Sequence, residues 1–289
     1  MGSTETLARI LNIDKPSVYF DIIEGILEGG KLLREVCEEC RKSEESFRNF
    51  WRFLDAREGD STLAPYALEL LCKEVPSHFD YITAFHGCRV YESEQYRCGG
   101  LKVGDPNDIL LEAIERFEAE AQVRSIYEQL RNEGYTAHNA GKVYGVKSIK
   151  HHMERGGLCH AKGSELLGII ASRMTPNKIE QLYNTGEPSI IEYLVPTAWM
   201  VAQQDIEAYV ASLFCCYIAQ DVPYDRPNDA REGGVVIDQS IPPELLVRRY
   251  LCVAKRGHVI TFVVSFRDRC GRIPLPSPFH RHIAAVLLF

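Results

Sequence analysis

No apolar run in this 289-residue chain is long enough to cross a bilayer. Its opening, "MGSTETLARI", lacks the basic-then-apolar order of a secretory signal. Both absences set a cytoplasmic protein as the expectation. "MGSTET" does fit the short myristoylation pattern, which an ordinary start fits equally well. An excess of positive charge is missing too: the formal net charge of −7 excludes a protein that simply coats nucleic acid and leaves room for a local basic surface. The 10 cysteines lack the dense spacing of a small disulfide scaffold, so reduced thiols are expected. Cys37 and Cys40 form a CxxC with no second CxxC, and Cys215 adjoins Cys216, a spacing that rarely suits one metal.

Several catalytic signatures are also absent. "GYTAHNAGKVYG" has the wrong spacing for a phosphate-binding P-loop, and Val143 follows Lys142 where a magnesium-binding Ser or Thr would stand. No GxGxxG follows a strand, and no GxSxG elbow occurs. His151 and His152 are adjacent, so on a helix they would point apart, unlike the i, i+4 pair of a zinc protease.

What is present is a globular composition, 45% hydrophobic and 25% charged, which suits one large or two modest domains. From Ser17 to about Leu71 apolar residues recur at helical spacing: Ile22, Ile23, Ile26, Leu33 and Val36, then Phe47, Trp51 and Leu54. Ser61-Thr62 reads as the cap of a helix over "LAPYALELLCKEV". "HFDYITAFHGCRVY" is rich in β-branched and aromatic residues and reads as a strand ending near His86. "SEQYRCGGL" predicts a short helix stopped by Gly99-Gly100. The stretch from Asp105 to Gly134 predicts one long helix, capped by Asp105 or Asn107. "GEPSIIEYLVP", "EGGVVIDQSIPPELL" and "RRYLCVAKRGHVITFVVSF" predict strands, and the tail "IAAVLLF" a last strand or short helix after a Pro-interrupted loop. The whole reads as an α+β fold: a helical N-terminal region over 1–78, then a second domain over 79–289 with a helical insertion near 105–155.

Five pieces stand in a definite order: a strand with His86-Gly87, a short helix ending in "GGL", then "GGLCHAKGSELLGII", "PSIIEYLVP" and "EGGVVIDQSIPPELL". That set resembles the ADP-ribosyltransferase superfamily, in the branch holding poly(ADP-ribose) polymerases, diphtheria-like toxins and DarT-like DNA modifiers. The resemblance spans roughly residues 80–252 and leaves the first helices uncovered. It implies a split β-sheet and NAD as the substrate.

By that resemblance, the Gly87 backbone holds the nicotinamide amide and His86 bonds the adenosine-side ribose; glycine lets a flat amide come close, and imidazole can pair with a hydroxyl. The other reading of His86 is a strand-end histidine satisfied by a backbone carbonyl. Arg89 flanks the dinucleotide, with a guanidinium fork suited to phosphate, or else pairs with Glu92 or Glu94. Ser164, at a helix start, matches the serine of the nicotinamide clamp or is a plain N-cap. This chain departs from the pattern at the stacking tyrosine, whose place falls near Cys159 or His160, and His160 is the expected replacement. The catalytic glutamate is Glu232, ahead of the "IPPE" turn, with Glu192 in "IIEYLVP" as the rival; alternation sets Glu192 on an exposed face. A carboxylate is needed where positive charge develops as nicotinamide leaves.

The implied activity is mono-ADP-ribosyl transfer by an intracellular toxin or phage-defence effector, with an antitoxin or other neutralising protein as partner. The acceptor is nucleic acid or protein; "KVYGVKSIKHH" and "LVRRYLCVAKRGH", with Tyr144 and Tyr250 interleaved, are the candidate nucleic-acid stretches. Two other readings stay open: an inactive interaction protein of the same fold, and a zinc-dependent nucleic-acid enzyme using His151, His152, Cys159 and His160.

Overall fold

The structure, a computed structural model, describes residues 9–27, 30–42, 63–92, 95–150, 164–202, 206–219, 234–255 and 258–265. It is an α+β architecture, with a helical N-terminal region set against a seven-stranded sheet.

The N-terminal region holds β1 (Ile10–Leu11), a 3-10 turn (Pro16–Tyr19), α1 (Phe20–Ile26), α2 (Lys31–Lys42) and α3 (Leu63–Glu74). The apolar periodicity read from sequence is what buries them: Ile23, Leu27, Leu33, Val36, Ala67 and Leu71 all lie in the main core. Ser61 and Thr62 lie outside the described residues. Tyr209 reaches from α11 (Ile206–Ile218) to fix the chain near β1. Its hydroxyl accepts from Ile13 N at 3.1 Å and lies 3.3–3.4 Å from the Leu11 and Thr83 carbonyls.

The strand carrying His86 is β2 (Tyr81–Val90), which runs four residues past it. After β2 come α4 (Gln95–Gly99), α5 (Pro106–Phe117), α6 (Glu120–Asn132), α7 (Tyr135–Asn139) and β3 (Val143–Val146). Then follow α8 (Glu165–Met174), α9 (Pro176–Asn184), β4 (Glu187–Pro196), α10 (Thr197–Ala202), α11, β5 (Gly234–Ile237), a 3-10 turn (Pro243–Leu245), β6 (Leu246–Lys255) and β7 (His258–Ser265). Strand order is β5-β3-β2-β4-β6-β7, every neighbour antiparallel, with β1 adding in parallel to the start of β2. The tail "IAAVLLF" lies outside the described residues.

The long helix expected over 105–134 is two helices. Asp105 does cap the first, accepting from Asn107 N at 2.8 Å. The break falls at Glu118, which takes a left-handed φ of 50° and closes α5 through a bond to Ile114 O. No Gly or Pro marks that break in the sequence; tertiary packing sets it, because folding α6 back lets Ala113 and Phe117 meet Val123, Ile126 and Leu130. α8 and α9 complete the same second core with Leu166, Leu167, Ile170 and Leu182, separate from the core under the sheet.

The segment holding α5, α6 and α7 starts and ends at one point. Gly141 N bonds Gly104 O at 2.8 Å, and Gly104 N bonds Lys142 O at 2.9 Å, closing a neck.

Candidate functional site

β2 pairs with β4 along its whole length, from Tyr81 opposite Pro196 to Val90 opposite Glu187. With β3 it pairs at one position, Phe85 opposite Val146. Immediately beyond, the His86 imidazole bridges the gap: Nδ1 donates to the Tyr144 carbonyl at 2.6 Å. A carbonyl oxygen only accepts, so the bond places a proton on Nδ1. Past His86 the ladder to β3 has ended, and among the described residues Gly87 to Val90 pair with β4 alone. Gly87 therefore stands at the mouth of a fork between two strands, where a strand edge offers backbone donors and acceptors to a ligand.

The carbonyl bond is the strand-end reading of His86, and the fork beside it is what the ligand reading needs. Both are present at one residue.

On its far side β3 pairs with β5, with Tyr144 opposite Val236 and Val146 opposite Gly234. Glu232 lies outside the described residues, two positions ahead of Gly234 in sequence. His160, Cys159, His151 and His152 lie outside them as well. Tyr144 is the residue that sequence reasoning missed as part of this site, having set it in a basic stretch. The available signal was "KVYGV", a short β-branched and aromatic run between glycines. Gly145 is required there, because a Cβ would stand 2.3 Å from the Tyr193 hydroxyl passing beneath β3. Downstream, Ser164 is the N-cap of α8, accepting from Leu167 N at 3.5 Å. No described contact joins Ser164 to His86.

The "GGL" and "IPPE" pieces meet. Leu101 and Ile241 exchange backbone hydrogen bonds of 2.8 and 2.7 Å. Gly100 turns the chain into that bridge with φ +68°, and a Cβ on it would come 2.1 Å from Ile241 O. Cys88 is buried, and burial pushes its thiol up to about 12, which favours the protonated form.

Arg89 does not present its guanidinium to a phosphate or to Glu92. It is buried, and its Nε and Nη2 donate to the carbonyls of Tyr183, Thr185 and Gly186 at 2.5–2.8 Å. These are the last carbonyls of α9 and its exit turn, which a helix leaves unsatisfied; the cation answers them and locks α9 to β2.

Glu192 is also not where simple alternation set it. Its residue is only 7% exposed, because β6 lies alongside β4. The Tyr250 hydroxyl donates to its Oε2 at 2.6 Å, and Arg248 Nε lies 3.7 Å from the same oxygen. Burial and the adjacent Glu192 push the Tyr250 phenol upward, keeping it a proton donor. By register, Glu192 shares a face with Phe85 and Arg248, while Gly87, Ile190 and Tyr250 line up beside them on that face.

Two basic stretches lose members to the interior. Arg249 is buried and bonds Ser189 and Glu187. Lys147 is 1% exposed, with Nζ on Ala208 O at 2.9 Å and Ser212 Oγ at 2.7 Å; burial lowers its pKa to about 8. Tyr250, tied to Glu192, is no exposed stacking platform.

A cleft of about 130 Å³ lies at the C-terminal ends of α5 and α9, lined by Arg116, Phe117, Gln181, Leu182 and Thr185. Among the described residues no three His, Cys, Asp or Glu side chains gather as a metal site, and no helix is long and apolar enough to cross a membrane. Comparison of the chain with protein-family models, with curated proteins and with solved structures finds no match.

Proposed function

We propose that this chain is an NAD-dependent mono-ADP-ribosyltransferase whose sheet is of the split ADP-ribosyltransferase kind. The observation that supports the reading most is the neighbour order of three strands: β2 with His86-Gly87, then β3 with Tyr144, then β5, which follows Glu232 in the chain. The resemblance noted from sequence calls for a histidine strand, an aromatic strand leading through a loop to a serine-started helix, and a glutamate strand. Tyr144 fits the aromatic member, because among the described residues β3 is the strand that precedes Ser164 and α8; His160 lies outside them.

In this reading the nicotinamide amide of NAD bonds the Gly87 backbone at the fork. His86, its ring held by the Nδ1 bond to Tyr144 O, pairs with a ribose hydroxyl. The bond from C1′ to the nicotinamide nitrogen loosens, positive charge grows on the ribose, and Glu232 steadies it. An acceptor nucleophile then attacks the opposite face of C1′. Arg89 has a supporting role, holding β2 against α9 rather than touching phosphate. The resemblance further suggests an intracellular toxin or defence effector with a neutralising partner. The acceptor is nucleic acid or protein, and the burial of Lys147 and Arg249 weakens the nucleic-acid case.

The test is incubation of the purified chain with NAD labelled on the adenylate, alongside separate pools of DNA, RNA and protein, with free nicotinamide quantified. Nicotinamide release that falls by about 100-fold or more in Glu232→Ala supports the reading. No release, together with no NAD-dependent thermal shift, overturns it and leaves the sheet as an interaction scaffold.

A further inference from the structure

Two helix C-termini meet at the cleft between α5 and α9, where unsatisfied carbonyls would repel an anion. Those carbonyls are answered from within the protein. Gln181 Nε2 donates to Arg116 O at 3.0 Å and Lys178 Nζ to Phe117 O at 3.1 Å, while the Thr185 hydroxyl reaches the Gln181 and Leu182 carbonyls at 3.2 Å. Arg89 covers the carbonyls of Tyr183, Thr185 and Gly186. Two of these partners, Lys178 and Arg89, are cations, so the helix ends carry positive charge where a bare terminus is negative. Arg116 is held differently. Its guanidinium carbon lies 3.5 Å from the centroid of the Tyr91 ring, and its Nε donates to Glu112 Oε1 at 2.7 Å. A ring on one face and a carboxylate on one edge fix the plane of the guanidinium, which lowers the ordering cost of binding. Its side chain is 22% exposed and lines the cleft, so the two Nη atoms are open to a ligand. Beside it the buried Phe117 and Leu182 supply an apolar floor.

We propose that this cleft binds a small monocarboxylate with a compact apolar body. The planar carboxylate pairs with the Nη donors of Arg116 as a bidentate acceptor, and the body rests on Phe117 and Leu182, out of water. The size agrees: a cavity of about 150 Å³ takes benzene, so a cleft of about 130 Å³ takes a ring or a branched chain whose charged end stays at Arg116. Charge selects a carboxylate over a phosphate dianion. One guanidinium edge with Glu112 at its Nε answers a single negative charge, and a dianion would hold further oxygens toward Glu112. The site stands or falls independently of ADP-ribosyl transfer at the fork.

Titration of the full chain with sodium benzoate, followed by ligand-observed NMR, tests the site. Saturable binding is expected with a Kd of about 1 mM, the scale for a ligand of so few heavy atoms. Arg116→Gln should weaken it by about 10–100-fold, the worth of a charge-assisted pair. Arg116→Lys keeps the charge and the reach to Glu112 but loses the planar fork, so it should retain only part of the affinity and carries the test if the Gln variant fails to fold. Arg124 makes the same i,i+4 pair with Glu120 away from the cleft, and Arg124→Gln should bind benzoate as the wild type does. Benzyl alcohol, of like shape without the charge, should not bind, and inorganic phosphate should not displace benzoate. Phosphate that displaces it at equal concentration overturns the choice of carboxylate. Absence of saturable binding below about 20 mM, or binding that both Arg116 variants leave unchanged, overturns the site.

Discussion

On the side of the sheet that meets α1, α3 and α11, Ile82, Ala84, Val90, Ile191, Val235 and Ile237 lie in one apolar core. The same strands carry Gly87, Arg89, Tyr144, Glu192, Arg248 and Tyr250 at the alternate positions. The apolar cluster on that second side is small, built from Phe85, Val146, Ile190 and Cys252. A strand's period of two lets one segment serve two purposes: one set of residues builds an apolar core, and the other carries polar groups that pair with one another and with neighbouring carbonyls. The folding free energy of the sheet is therefore concentrated on the first side, while the candidate polar groups divide: His86 stands opposite Ile191 on the first side, and Gly87 and Glu192 lie on the second.

That contrast can be broken by substitution, beginning on the apolar side. Ile191→Ala should destabilise by about 2–5 kcal/mol, since the side chain is fully buried and its neighbours can collapse only in part. Chemical denaturation measures it. A cost below that of Tyr250→Phe would reverse the comparison.

Lys147 gives the next effect, expressed through pH. Burial lowers it to about 8 from an ordinary 10.5, so between those values the unfolded chain holds a proton that the folded chain has released. Stability from this group therefore rises with pH across that window, by about 3 kcal/mol in all. Below pH 8 both states hold the proton and the cost is constant. Lys147→Met should remove this slope, and Ser212 Oγ keeps its 2.8 Å bond to Ala208 O without the lysine. Urea midpoints for wild type and variant at pH 7.5, 9 and 10.5 give the difference.

Gly100→Ala should cost about 1–3 kcal/mol, from a left-handed φ and a clash with Ile241 O, and should loosen the Leu101–Ile241 bridge. Hydrogen exchange at Leu101 and Ile241 reports that loosening. His86→Ala removes the bond to Tyr144 O and should cost at least about 1 kcal/mol of stability. It should abolish the thermal shift with NAD all the same. A large loss of stability with NAD response intact would make His86 a structural residue alone.

Local patterns in the sequence were readable because the physics that sets them is local. The β-branched run of β2, the Asp105 cap, the Gly100 stop and the Ser164 cap each depend on a few neighbouring residues. What was not readable depends on partners far along the chain. His86 meets Tyr144 across 58 positions and Arg89 meets Tyr183 across 94. Glu192 is buried by Tyr250, 58 positions on, so alternation within β4 alone could not assign its environment. Glu118 breaks a continuous helical pattern for the sake of a second core whose other half, α8 and α9, begins at Glu165. Of the site, the His86-Gly87 pair was legible in one dimension; its strand neighbours were not.

The closed neck at Gly104, Gly141 and Lys142 bears on the order of folding. β2 and β4, the central pair of the sheet, are joined by a connection that runs from Tyr91 to Gly186. Bringing distant ends together costs chain entropy that grows with the length of the free loop. Two backbone hydrogen bonds at the neck gather the α5–α7 segment into a side branch, so the loop left to close is shorter. The neck thus serves as a kinetic staple, and cutting it should slow assembly of the sheet more than it weakens the finished one.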